Sequence, residues 1–103
     1  MLQKVEIIGN IVADAEQKQG ESGNEYLSFS VAVNDMVKKE RTTTFYEIVS
    51  FHHRNILDYL RKGVRVYVCG RLAVFSYSSQ DGDPRTRLCV NASDIELCGS
   101  SEH

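Results

Sequence analysis

Apolar side chains in this chain recur at every second position, the spacing of a half-buried β-strand rather than of a helix. Residues 26–34 show it most cleanly: Leu27, Phe29, Val31 and Val33 alternate with Tyr26, Ser28, Ser30, Ala32 and Asn34. Residues 2–9 repeat the pattern, with Val5 and Ile7 facing opposite to Lys4 and Glu6. In 44–51, Phe45, Glu47, Val49 and Phe51 fall on one side, and Tyr46, Ile48 and Ser50 on the other. Val64, Val66 and Val68 alternate with Arg65 and Tyr67 over 64–69. Gly70 then interrupts before 71–77, as a bulge or sharp bend would. After the turn signal Asp81-Gly82, residues 85–92 return as a strand, and Ile95 and Leu97 mark a short final segment.

Between these strands lie two polar connections. Residues 10–25 contain Gly20, Ser22, Gly23 and Asn24 and read as a loop or turn, while 35–43 form a basic loop with Lys38, Lys39 and Arg41. One helix is predicted, over about 53–62, with Ile56, Leu57 and Leu60 as its apolar stripe. Arg61 and Lys62 close its last turn, where cations suit the dipole, and Gly63 fits the position just beyond the end. Five or six strands with one helix between the third and fourth is the element order of an OB-fold, a five-stranded Greek-key β-barrel. The predicted class is therefore all-β with one helix. At 103 residues the chain is long enough for one such core and too short for two. The domain is expected over 1–98, followed by a short flexible C-terminus at 99–103.

The distribution of charge says more than its total. The net charge is −2, yet residues 37–80 carry +5 while 1–36 carry −4 and 81–103 carry −3. From Tyr59 to Gln80 there is no Asp or Glu, and that run places Tyr59, Tyr67, Phe75 and Tyr77 beside Arg61, Lys62, Arg65 and Arg71. Cations mixed with aromatic rings on strands suit unpaired nucleic acid: phosphates take the cations and unstacked bases take the rings. Tyr77 is a candidate stacking platform within that run. Phe75 shares the parity of Tyr77. Phe51 ends a strand beside the helix, where core packing and nucleic-acid contact are equally compatible with its position. Tyr67 fits an oligomer interface as well as a contact, and Tyr59, near the apolar stripe, is expected in the core. Lys38, Lys39 and Arg41 are candidate phosphate grips, as are Arg54, Arg65, Arg71, Arg85 and Arg87. A solvated surface position is the alternative for each.

Several classes are disfavoured. The three cysteines, Cys69, Cys89 and Cys98, are odd in number and lack C-x-x-C spacing, which argues against a disulfide framework and a zinc site. Cys69 and Cys89 are expected to serve as small core or interface hydrophobes. His52 and His53 point different ways at a helix start and have no converging ligands, so neither metal nor cofactor is expected. No nucleophile elbow or phosphate-cradling glycine loop occurs, and no enzyme is expected. The N-terminus has no secretory pattern and no apolar run approaches membrane-spanning length, so the expected location is the cytoplasm, at the nucleoid, with no membrane partner.

In order along the chain, Lys4-Val5-Glu6-Ile7-Ile8-Gly9-Asn10, Asp14-Ala15-Glu16, Phe29-Ser30-Val31-Ala32-Val33, Thr44 to Phe51, Tyr59 to Leu72, Asp81-Gly82 and Ile95-Glu96-Leu97 resemble the bacterial single-stranded DNA-binding protein family over about residues 3–97. The resemblance implies a homo-oligomeric OB-fold, with a tetramer favoured over a dimer, that binds and protects single-stranded DNA in replication, recombination or repair. It places the stacking positions at Val37, Phe45, Phe51 and Tyr77, three of which keep a ring. Tyr46 stands where the family commonly has His at a subunit contact. Family members usually continue into a flexible linker and an acidic tail that recruits partners. This sequence stops at Gly99-Ser100-Ser101-Glu102-His103 and is expected to be a short form without that tail. Two alternatives remain open: a primosomal-replication-protein-like OB dimer, and a protein-interaction OB module working through its acidic flanks.

Overall fold

The strands are longer than their sequence signals. In a computed structural model that describes residues 3–100, they are β1 (Lys4–Ile11), β2 (Glu16–Gln19), β3 (Glu25–Val37), β4 (Glu40–Ser50), β5 (Val64–Ser78) and β6 (Pro84–Ser100). They form one sheet in the order β1-β5-β6-β4-β3-β2. A second pairing, Asn10 with Ala32 and Ile11 with Val31, joins β1 to β3 and closes a five-stranded barrel, with β2 flanking β3 outside it. All neighbours are antiparallel except β4 and β6, which run parallel where Glu47 meets Cys89 and Val49 meets Asn91. This is the OB-fold that the element order predicts.

Alternation decides the core. Ile7, Ile11, Leu27, Phe29, Val31, Ile48, Val66, Val68 and Val90 are buried inside the barrel together with Leu60, Ala92 and Ile95. Fully burying one such aliphatic side chain stabilises the fold by roughly 1.5–3 kcal/mol relative to exposure. Cys69 and Cys89 fall on the opposite parity, beside the inward Val68 and Val90, so both point outward and are only half-buried. The core reading of these two thiols is thereby corrected.

Closure requires strands to approach more closely than side chains permit. A Cβ on Gly9 would lie 2.5 Å from the Ala32 carbonyl oxygen and 2.6 Å from Val31 Cγ1. One on Gly70 would lie 2.2 Å from the Asn91 carbonyl oxygen. The interruption expected at Gly70 is a register shift: Cys69 pairs with Asp94 but Gly70 pairs with Ala92. The extra residue is Ser93 of β6, whose hydroxyl donates to the Cys69 carbonyl at 3.2 Å. The strand therefore bends without ending, and 64–69 and 71–77 are one element. For the same reason 85–92 and the segment at Ile95 and Leu97 form a single β6.

Other boundaries move as well. The first strand, expected over 2–9, runs through Ile11, and its start at Leu2 lies outside the described residues. The loop at 10–25 contains β2, a hairpin partner of β3. The basic loop at 35–43 is mostly strand, because β3 and β4 stay paired as far as Val37 and Glu40. Only Lys38 and Lys39 turn the corner. Strand β6 passes through Gly99 and reaches Ser100, which pairs with Val64; residues 101–103, the rest of the expected C-terminal tail, lie outside the described residues.

The helix predicted over 53–62 is a six-residue 3-10 helix, Arg54–Tyr59. Six residues cannot present an amphipathic α-helical face, so the segment instead wedges Leu60 into the barrel end with Ile56 and Leu57 packed behind it. Arg61 and Lys62 thus follow the helix. Gly63 lies four residues beyond the helix rather than just past its end; it adopts φ +90° and donates its N–H to the Ile11 carbonyl at 2.8 Å. Tyr59 is 62% exposed, which overturns its assignment to the core.

Asp14 fastens this segment to the barrel. Its carboxylate accepts from the Lys62 backbone N–H at 2.9 Å and from Arg61 Nη1 at 3.0 Å. The Lys62 N–H, and then Arg61, hold its pKa below the ordinary 3.8.

Two outcomes follow for stability. Gly70→Ala should lower stability by roughly 1–3 kcal/mol, since its Cβ meets backbone; an unchanged urea midpoint would show that the approach is loose. Asp14→Asn should lower the thermal midpoint at pH 7. A depressed carboxylate stabilises above its unfolded value and loses that effect as pH falls through the folded one. The gap between Asp14→Asn and the parent, followed by thermal melts, should therefore narrow below about pH 3.8.

Candidate nucleic-acid interface

The residues of a barrel strand that do not face the core must face outward, and cross-strand partners share a side. Ala32 pairs with Phe45, Ser30 with Glu47, Glu47 with Cys89 and Cys89 with Ala73. That chain of partners defines one outer face across β3, β4, β6 and β5. Stepping by two along each strand adds Asn34 and Met36 on β3, Arg41 and Thr43 on β4, Arg71, Phe75 and Tyr77 on β5, and Arg85 and Arg87 on β6. Phe51, just past β4, continues the row of Phe45.

Seven of the predicted site residues therefore lie on one face of the strands: Phe45, Phe75, Tyr77, Arg41, Arg71, Arg85 and Arg87. The rings stand in solvent, Phe45 at 61% exposure and Phe75 and Tyr77 about half exposed. Tyr77 pairs with Arg85 and Phe75 with Arg87, so each of these rings has a guanidinium across the strand. Arg41, Arg71 and Arg85 have no carboxylate partner among the described residues.

The remaining candidates are distributed differently. Phe51 sits at the far end of β4, its ring centroid 5.4 Å from that of Tyr26 at a tilt of 43°. It keeps one exposed edge, above a cleft lined by Gly23, Asn24, Glu25, His52 and Arg54. Arg54 is ion-paired with Glu25, which also accepts from Gln17 Nε2 at 2.9 Å. Arg65 shares the outward row of β5 but lies ten residues from Phe75, about 33 Å along an extended strand. It faces Asn10 of β1 instead. Val37 has the opposite parity to Phe45.

Lys38 and Lys39 form the two-residue tip of the β3–β4 hairpin, with φ of +52° and +68°. Left-handed backbone at a residue with a Cβ costs on the order of 1–3 kcal/mol, and Asn-Gly is the usual solution at such a turn. Two adjacent cations are retained here in spite of that strain.

Met36 escaped the sequence reading. It is exposed, on the same face as Phe45, and lines a groove of about 610 Å³ with Asn34, Asp35, Arg41 and Thr43. Continuing the alternation of β3 beyond Asn34 would have found it. Glu47, placed on the side of Phe45 by the sequence, was not read as a partner of Arg87. Its Oε2 accepts from Arg87 Nη2 at 2.6 Å and from the Cys89 thiol at 3.4 Å. Arg87 holds the Glu47 carboxyl below the usual range against the opposing effect of burial. Burial, then Glu47, pushes the Cys89 thiol up.

A second outer surface lies around the barrel from these rings. Ile8 faces Tyr67, and Tyr67 faces Glu96. Burial pushes the Tyr67 phenol up to about 12, with Cys69 and Glu6 adding to the effect. Ile8 is exposed. No group of three or more His, Cys, Asp or Glu that could hold a metal ion occurs among the described residues.

The architecture and the outer face define an OB-fold barrel of the nucleic-acid-binding kind. Residues 2–98 match the model of the single-strand binding protein family, and the chain belongs to that family. It is 36% identical to a single-stranded DNA-binding protein of Onion yellows phytoplasma, over 87% of this chain and 88% of that relative. It is 29% identical to the single-stranded DNA-binding protein of Chlamydia pneumoniae over 86% of this chain, but spans only 57% of that relative's length. Among solved structures, a single-strand binding protein of Plasmodium falciparum in complex with single-stranded DNA superposes with a TM-score of 0.68 at 26% identity, covering 94% of this chain and 93% of the other. The fold is also shared by a small single-stranded DNA-binding protein from Streptomyces coelicolor, at a TM-score of 0.76 and 22% identity over 93% of this chain and 94% of that one.

The outward placement of Phe45 separates stability from surface function. Phe45→Ala should change unfolding free energy by no more than about 0.5 kcal/mol. Ile48→Ala, at an inward position of the same strand, should cost roughly 2–5 kcal/mol in urea denaturation. Equal losses would mean that the parity of β4 is misassigned.

Proposed function

We propose that this protein binds single-stranded DNA without sequence preference across the outer face of β3, β4, β5 and β6, and so protects it during replication, recombination or repair. Phe45, Phe75 and Tyr77 stack bases, with Phe51 extending the path. Arg41, Arg71 and Arg85, and Lys38 and Lys39 at the hairpin tip, take phosphates. The observation that carries this reading is the shared parity of the rings and guanidiniums, which sets stacking and charge side by side on one surface. A stacked base contributes roughly 1–3 kcal/mol and needs no particular base identity, because every base has a π-face. Membership of a family of binding proteins supports a role without catalysis.

The protein works as a homo-oligomer, a tetramer in preference to a dimer. Exposed Ile8, cross-strand from Tyr67, supports an association surface separate from the rings. Two copies of the DNA-binding face would then both stay open to a wrapped strand.

In an anisotropy titration the protein should bind a dT oligomer tightly and duplex weakly. Affinity should fall with salt, log K changing by about −0.7 per phosphate neutralised for each unit of log salt. Equal affinity for the two DNA forms rejects the proposal. The double substitution Phe45→Ala with Tyr77→Ala should weaken dT binding by about 2–6 kcal/mol. Light scattering with and without dT oligomer reads the assembly state directly.

A further inference from the structure

Within the outward rows formed by residues 26–36, 41–49, 71–77 and 85–91, Glu47 is the only carboxylate. It stands at the middle of the surface, where β4 meets β6, next to Phe45 in its own row. Stepping from the level of Glu47, Cys89 and Ala73 toward the hairpins leads to Phe45, Arg87 and Phe75. The register thus sets Arg87 on the strand between two exposed rings, the place where a phosphate joining two stacked bases would pass.

Arg87 is not free at that place. Its Nη2 donates to Glu47 Oε2 at 2.6 Å, and the Cys89 thiol donates to the same oxygen at 3.4 Å. The two charged side chains are 51% and 46% exposed. An ion pair this open to water contributes little to folding, so its main consequence is for what else Arg87 can hold. Arg41, Arg71 and Arg85 on the same rows have no such partner among the described residues.

We propose that Glu47 is a built-in brake on DNA binding: it occupies Arg87, so that a phosphate reaches this guanidinium only by displacing the carboxylate. This rests on the single-stranded DNA reading above. The brake lowers affinity while leaving the stacking rings untouched, which favours release and movement of the bound strand over static retention. It also assigns Glu47 a positioning role, since it acts on DNA through Arg87.

Removing the carboxylate tests this. Glu47→Gln keeps the shape and frees Arg87 to neutralise one more phosphate. The salt slope for a fluorescent dT oligomer should steepen by about 0.7, and affinity at 0.1 M salt should rise about fivefold. The gain should disappear when Arg87→Gln is added to Glu47→Gln. Glu21→Gln, an equal charge change in the exposed β2–β3 turn, should leave the slope unaltered. If Glu47→Gln binds no tighter, if its gain survives loss of Arg87, or if Glu21→Gln matches it, the brake is refuted while DNA binding stands. If the parent shows no preference for dT oligomer over duplex, the DNA reading itself falls, and the brake with it.

Discussion

The structure depends on the close backbone approach that lets a strongly bent sheet close on itself. At Gly9 the backbone of β1 lies against β3, and at Gly70 that of β5 lies against β6, each where a Cβ would overlap a neighbour. With these contacts in place, β1 completes a ring from β5 round to β3, and a single set of side chains becomes the interior. The same closure turns the other set outward, because strand side chains have a period of two between bulges. Core and outer face are therefore one decision. A slip of one residue in the pairing of β3 with β4 would turn Phe45 inward and Ile48 outward.

That link lets a protein with a slightly negative net charge present one outer face of rings and cations. Acidic residues are abundant, but Asp14 and Glu25 are placed against cations away from Phe45, Phe75 and Tyr77. Asp14 holds Arg61 and the backbone of Lys62 at the barrel end, and Glu25 holds Arg54 below Phe51. Such pairs anchor segments locally. Glu47 is different, because it stands in the outward row of Phe45 and pairs with Arg87 there.

Much of this was legible in the sequence. The alternation of Leu27, Phe29, Val31 and Val33, and that of Val64, Val66 and Val68, assigned inward residues correctly because burial on one side of a strand leaves a period-two trace. Phe45 and Tyr77 were singled out by the family resemblance, and Phe75 by its shared parity with Tyr77. The less legible parts are those that depend on partners distant in sequence. Gly70 interrupts β5 locally, but whether the strand ends there depends on Ser93, which absorbs the bend in β6. The segment around Ile56, Leu57 and Leu60 has a helical stripe, yet the gap it fills at the barrel end accepts one short 3-10 turn and leaves Tyr59 outside. The basic loop at Lys38 and Lys39 contracts to a two-residue tip because β3 and β4 keep pairing past the point where their apolar pattern stops.

The sequence by itself determined the class of fold and the family. Periodicity, turn residues and the acid-free basic run are local properties that survive without coordinates. Only the tertiary structure decided which cations are available. Glu25 lies 29 residues from Arg54, Glu47 lies 40 from Arg87, and Asp14 lies 47 from Arg61. No local pattern encodes those pairings, since they arise from sheet register and barrel closure. Charge counted along the chain gives the number of phosphate-seeking groups at most. Pairing across the sheet decides how many of them are free.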